Sequence, residues 1–230
     1  MSLSSRIRNT TTFIVFSAAL ILCAVTARAQ QLTADDEKAL LARLREQRAQ
    51  FPALTADFTE ERTTHLLKKP IRSTGTIAFH APNKFRRDLR GQSPSLTVCN
   101  GTDLWIFYPA FKEAEHYTLG RKQLFDDSLA ALTAGLNFQD VDRFFRVAPV
   151  REGTGYRILL TPKSGGLRRL LTKLTVWMNA DAVIEKSDAE LPKGDRISTA
   201  YRNVRMLKNV EAKFDFTPPS DAHVSTPLGD

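Results

Sequence analysis

The sequence predicts a mainly β domain with a minority of helix: one strongly curved antiparallel sheet of about eleven strands, with two helices laid across its open side. Three observations predict it. Apolar residues recur at every second position in short runs from Leu54 to Leu119, and again from residue 146 to Phe216. Only residues 33–51 and 126–138 carry a helical period. No linker, repeat or low-complexity tract divides the chain, and about 200 residues suit one domain with a substantial core.

The first helix is expected over 33–51. Thr33, Asp35, Asp36 and Glu37 make a cap-like acidic start, and Pro52 stops it. Leu40, Leu41, Leu44, Arg48 and Phe51 fall near one stripe, opposite Glu37, Arg45, Glu46 and Gln50. After Pro52 the period becomes two. Leu54, Ala56 and Phe58 alternate with Thr55, Asp57 and Thr59, and a polar loop follows over 64–70. Ile77 and Phe79 come next, then Phe85, Arg87 and Leu89 alternating with Arg86, Asp88 and Arg90. Leu96 and Val98 precede Asn100-Gly101, a tight-turn dipeptide, and strands over 104–108 and 113–119 complete a six-stranded meander.

Residues 126–138 interrupt it. Asp126, Asp127 and Ser128 are cap residues, and Leu129, Leu132 and Leu136 follow at helical spacing. Residues 140–145 read as one further helical turn, and Gly165-Gly166 as a loop. Strands resume near 146 and include 156–160, 174–178 and 197–201. The cleanest alternation is the last, Ala212, Phe214 and Phe216 against Glu211, Lys213 and Asp215. Pro218-Pro219 ends it, leaving 220–230 as a loose tail. So large an antiparallel sheet curls, and two helices across its mouth would enclose an apolar cavity.

The N-terminus reads as a secretory leader, removed after Ala29. Arg6 and Arg8 precede an apolar run from Phe13 to Val25, too short to span a bilayer, and Ala27-Arg28-Ala29 forms an A-x-A cleavage site. Leu22 stands before Cys23 where lipid attachment needs a small residue. Residues 30–230 are then a single exported domain. Arg6, Arg8 and Arg28 account for three of 33 basic residues against 25 acidic ones, so the remainder carries about +5, spread along the chain. No basic patch points to nucleic acid. Cys99 is the one cysteine left, which precludes an intramolecular disulfide.

No catalytic constellation is expected. His65, His80, His116 and His223 lack metal-ligand spacing, and no nucleophile-elbow, P-loop or dinucleotide motif occurs. Neither metal nor cofactor is implied. Apolar strand residues are the better candidates. Ile77, Phe79, Phe85, Leu89, Val98, Trp105 and Phe107 are assigned to a cavity lining, and Leu41, Leu44, Leu132 and Leu136 to the helices that cover it. Arg87, opposite Arg86 and Arg90 on its strand, lies either in a solvated face or at the cavity mouth.

Four blocks give the chain a resemblance to the outer-membrane lipoprotein carrier proteins of the LolA type. They are Phe58 with the polar loop after it; Gly75 to Pro82 followed by Phe85 and Arg86; Asn100 to Trp105 with Pro109; and Leu160 to Lys163 together with Phe214 to Pro219. The resemblance implies a periplasmic chaperone, an incomplete antiparallel β-barrel under an α-helical lid. It implies acylated lipoproteins as cargo, an inner-membrane ABC transporter as donor and an outer-membrane receptor as acceptor, with the protein a monomer. The alternative is a module of the same fold that carries another lipid or senses lipoprotein traffic. The family has a lid-holding arginine before the proline of the second block, where this chain has Ala81. His80, Arg86 and Arg87 are the candidates to replace it.

Overall fold

In the computed structural model, which describes residues 30–120, 133, 136 and 138–227, two antiparallel meanders join edge to edge. The first runs β2 (Ala53–Thr63), β3 (Ile71–His80), β4 (Lys84–Gly91), β5 (Ser95–Cys99), β6 (Asp103–Tyr108) and β7 (Glu113–Thr118). The second runs β8 (Phe145–Glu152), β9 (Gly155–Pro162), β10 (Lys173–Met178), β11 (Ile184–Glu190) and β12 (Arg196–Leu207). β12 pairs with β2, so the two longest strands form the seam. Two short pieces, β1 (Gln30–Gln31) beside β8 and β13 (His223–Ser225) beside β7, extend the sheet to 13 strands. Its ends do not pair with each other, so the curved sheet stays open. Helix α1 spans Ala34–Gln50, α2 is the turn Val141–Phe144, and α3 spans Gly165–Leu170.

α1 begins where the cap signals place it. The Asp36 amide donates to Thr33 Oγ1 at 3.2 Å. The turn expected before residue 146 is α2. Gly165-Gly166, expected as a loop, instead opens α3, because Ser164 caps it by accepting from the Leu167 amide at 3.0 Å. The helix expected over 126–138 falls mostly outside the described residues, of which Leu136 is buried.

Three expectations about strands are corrected. β11 has no apolar alternation, yet it pairs on both sides, because one carboxylate oxygen of its buried Asp188 is ion-paired with Arg196 and with Lys186, the latter at 3.2 Å. Residues 212–216 form no ladder. They run extended across a sheet face, with Phe216 at 5.9 Å from Trp105 and 5.5 Å from Phe107 between ring centroids. Packing one side of an extended chain on a sheet buries every second residue just as a strand does. The tail is held further than expected: the His223 amide donates to the Lys112 carbonyl at 2.7 Å, and β13 pairs in parallel with β7.

The ladder register sorts side chains into two faces. Leu54, Phe79, Phe85, Cys99, Leu104 and Tyr117 are successive partners, so they form one row of the face that meets α1, here called the inner face. Phe58, Gly75 and Leu89 form a second row on that face. Gly75 is required there, since a Cβ would lie 2.1 Å from the Asp88 carbonyl oxygen and 2.5 Å from Phe58 Cζ. Replacing Gly75 with alanine is expected to cost about 2–3 kcal/mol through overpacking. The thermal midpoint should fall by roughly 4–12 °C, and scanning calorimetry checks it.

Candidate functional site

The inner face is apolar and covered. Leu40 and Leu44 of α1, with Leu136 and Phe138, join Leu54, Phe58, Ile77, Phe79 and Phe85 in one buried cluster. Leu41 is half-buried against it, whereas Leu132 lies outside the described residues. The pocket left between α1 and the sheet is about 20 Å³, lined by Leu44, Arg48, Leu54, Leu136, Phe138 and Met178 among others. That volume is close to one water. Among the described residues, the space between α1 and the sheet is therefore filled by the protein's own side chains.

The seven residues expected to line that cavity are divided by the register. Ile77, Phe79, Phe85 and Leu89 share the inner face. Val98, Trp105 and Phe107 do not, because Val98 pairs with Arg86 and with Trp105, and Phe107 pairs with Leu96, all one residue out of phase with Phe85 and Cys99. A one-residue step reverses the face. Trp105 instead stacks on His116 at 4.1 Å, whose Nε2 lies 2.8 Å from Asp103 Oδ1, and Phe216 covers the pair of aromatic strand residues.

α1 is tied down by polar contacts at its edges. Arg43 donates to the Ala180 carbonyl at 3.1 Å, Gln47 to the Asp181 carbonyl at 3.0 Å, and Arg45 pairs with Asp142 at 2.9 Å. Among the described residues, Arg48 also bonds α1 to Leu136. Its guanidinium donates to the Leu136 carbonyl at 2.7 Å and the Phe51 carbonyl at 3.1 Å, and its Cζ lies 5.6 Å from the Phe79 ring centre. Burial pushes its pKa down to about 10. Ala81 stands beside this point, its amide donating to the Pro52 carbonyl at 2.8 Å. Arg48 thus brings a guanidinium from the helix to the neighbourhood of Ala81, where the chain lacks the arginine that the resemblance calls for.

The three candidates to replace it are placed elsewhere. Arg87 lies on the inner face, ion-paired with Glu60, and its Cζ sits 4.7 Å over the Phe58 ring. Nearby, the Tyr201 hydroxyl and Ser187 Oγ are 3.2 Å apart, and burial raises the phenol's pKa. Arg87 is therefore part of a polar cluster on the inner face. Arg86 is on the other face, bonded to Asp88 and to the Lys213 carbonyl. His80 is also on that face, its Nδ1 2.8 Å from the Ala81 carbonyl oxygen. Arg48, Glu60 and Tyr201 were not legible as site residues. Arg48 did fall in the helix stripe with Leu40 and Leu44, and a charge repeated in phase with buried leucines was the available signal. Among the described residues no group of three His, Cys, Asp or Glu side chains is placed to hold a metal ion.

Residues 49–217 match the family model of the outer membrane lipoprotein carrier protein LolA. The chain belongs to the LolA family. A LolA-family relative, the outer-membrane lipoprotein carrier protein of Dechloromonas aromatica (strain RCB), is 30% identical over 173 residues, 74% of this chain and 80% of that one. The carrier of the same name from Shewanella loihica (strain ATCC BAA-1088 / PV-4) is 36% identical over 80 residues, 35% and 36% of the two chains. Solved structures are more distant. An uncharacterized conserved protein of Thermus thermophilus superposes with a TM-score of 0.48 at 13% identity, covering 83% of this chain and 99% of its own. A LolA superfamily protein from Nitrosomonas europaea gives 0.39 at 11% identity, with 75% and 94% covered. The family assignment rests on the sequence match.

Proposed function

We propose that this chain is a non-enzymatic periplasmic carrier. Residues 1–29 export it, and residues 30–230 form one monomeric domain that moves acylated lipoproteins from an inner-membrane ABC transporter to an outer-membrane receptor. The observation that carries this reading is the inner face of the LolA-family sheet, apolar and occupied by the replaceable side chains of α1 and of Leu136 and Phe138.

The energetics support a plug-for-cargo exchange. A long acyl chain gains on the order of 10 kcal/mol on burial, at about 0.8 kcal/mol per methylene. Lifting Leu40, Leu44, Leu136 and Phe138 off the sheet forfeits roughly 6–12 kcal/mol, at about 1.5–3 kcal/mol per side chain. The two are of the same size. Cargo therefore binds without becoming too tight to surrender. The inner-face lining by this reading is Ile77, Phe79, Phe85 and Leu89, with the Arg87–Glu60 pair facing the polar end of the lipid.

The purified protein, incubated with spheroplasts that retain lipoproteins, should bring at least about ten-fold more lipoprotein into solution than buffer does, a difference of about 1.4 kcal/mol in partition. Mass spectrometry of the soluble complex should find diacylated or triacylated protein. Free lipid without acylated protein would instead favour a LolA-fold module for another lipid, and no release at all would reject the carrier reading.

A further inference from the structure

Leu66 and Leu67 are exceptions on this surface. They are 80% and 49% exposed, adjacent in the β2–β3 loop, and followed directly by the exposed Lys68 and Lys69. The loop is anchored rather than free at its start. His65 Nδ1 lies 3.1 Å from Asp195 Oδ1, and the same carboxylate lies 3.9 Å from Arg62. The sheet register places this loop, the β11–β12 turn and the β6–β7 turn at one end, since Thr63 pairs with Arg196, Ile71 with Arg62, and Tyr108 with Glu113. Phe111, 70% exposed, caps the β6–β7 turn at that end.

The charge there is one-sided. Residues 61–72 and 191–196 hold six basic side chains against two acidic ones. Both acids are already engaged, Glu61 by Arg72 at 3.0 Å and Asp195 by His65. Arg168 and Arg169 on α3, which packs against the β11–β12 turn, are exposed as well. A trough of about 630 Å³, lined by Thr59, Glu60, Ser73, Arg90 and Thr199 among others, opens in the same region. α1 is pinned at the opposite end, to Ala180 and Asp181.

An exposed apolar pair backed by surplus cations suits the boundary of an anionic bilayer. Apolar side chains enter the headgroup–acyl boundary while basic ones meet lipid phosphates. We propose that the loop bearing Leu66 and Leu67 is a membrane-contact tip that seats the protein on anionic phospholipid. Leu66 and Leu67 enter the interface, and Lys68, Lys69 and Lys193 contact headgroup phosphates. The trough end of the sheet then faces the bilayer, with the pinned end of α1 away from it. This contact needs no lipoprotein and stands apart from the cargo assignment.

Vesicle flotation tests it. The purified protein should bind vesicles of about 30% phosphatidylglycerol in phosphatidylcholine at least about ten-fold better than pure phosphatidylcholine, with the difference collapsing near 0.5 M salt. Leu66→Glu/Leu67→Glu should reduce binding about ten-fold, and Lys68→Glu/Lys69→Glu should remove the preference for the anionic lipid. Both variants should keep the wild-type melting midpoint, because the loop is exposed. Absence of wild-type binding, equal binding to both vesicles, or unchanged binding by either variant would overturn the proposal. Lipoprotein capture measured without vesicles should be unaffected in both variants. Its failure in the wild type would reject the carrier reading and leave the tip standing.

Discussion

Replacing Phe85 with glutamate is expected to destroy the fold, not cargo capture alone. Viewed from sequence, Phe79 and Phe85 line a cavity, and a charge at either position should leave the scaffold intact. The structure corrects that expectation. Phe79 and Phe85 are cross-strand partners with 0% and 1% exposure, and Phe85 also pairs with Cys99. Losing the ring by itself costs about 3–5 kcal/mol. An unpaired carboxylate enclosed there adds several more. Domains of this kind hold only about 5–15 kcal/mol in total. Phe85→Glu should therefore show no cooperative urea transition by far-UV circular dichroism, while Phe85→Leu should retain one at a lower midpoint. A wild-type midpoint for Phe85→Glu would mean that this ring faces open space, and the filled inner face would be wrong.

Arg48→Met is expected to have the opposite profile, with small change in stability and a large change in lid opening. Keeping a guanidinium buried is costly. Burial lowers its pKa well below the free guanidinium's, to about 10, which corresponds to on the order of 3 kcal/mol. The folded protein holds this proton less tightly than the unfolded chain does. The cost is therefore present in full below about pH 10, and stability recovers as pH rises from there towards the unfolded value. Methionine removes that cost but leaves the Phe51 and Leu136 carbonyls without their donor, at about 1–3 kcal/mol each. The two effects oppose each other, so the net change should stay within about 2–3 kcal/mol.

What does not cancel is the link between α1 and the Leu136 segment. A hydrogen bond from a charged donor is worth about 1.5–3 kcal/mol, or roughly 10- to 150-fold in the closed-to-open ratio. Amide exchange in α1 should accelerate by that factor in Arg48→Met, and so should dissociation of a bound acyl probe. Arg48→Lys should fall between, since an ammonium cannot span both carbonyls with a planar fork. Lower stability with unchanged exchange and unchanged probe release would reduce Arg48 to a packing residue. Ala81→Arg then becomes a rescue experiment. Beside Pro52, a strand-borne guanidinium should restore slow exchange to Arg48→Met.

Much of this protein was legible before any coordinates. Where one face of a strand is buried and the other less so, as over residues 54–58, hydrophobicity must alternate, and it does. Thr33 and Pro52 delimit α1 by local backbone chemistry, within one residue of the observed helix. β11 was hidden because two of its three buried positions are Ser187 and Asp188, made tolerable by partners on other residues. The segment 212–216 misled for the converse reason: burial had period two, but no ladder accompanied it.

The sequence by itself determined the mainly β class, the helix at the front, the open-sheet size and the family, because these depend on local periodicity and on motif order. Only the tertiary structure decided which face each residue occupies and what Arg48 bonds. Val98, Trp105 and Phe107 are as apolar as Phe85 and Leu89, but their phase relative to those residues is set by hairpin register, and one residue's difference places them across the sheet. Arg48 reads as one more charge on a helix until Leu136, distant in the chain, brings its carbonyl to the guanidinium. Both facts are relations between segments far apart in sequence, and no local pattern carries them.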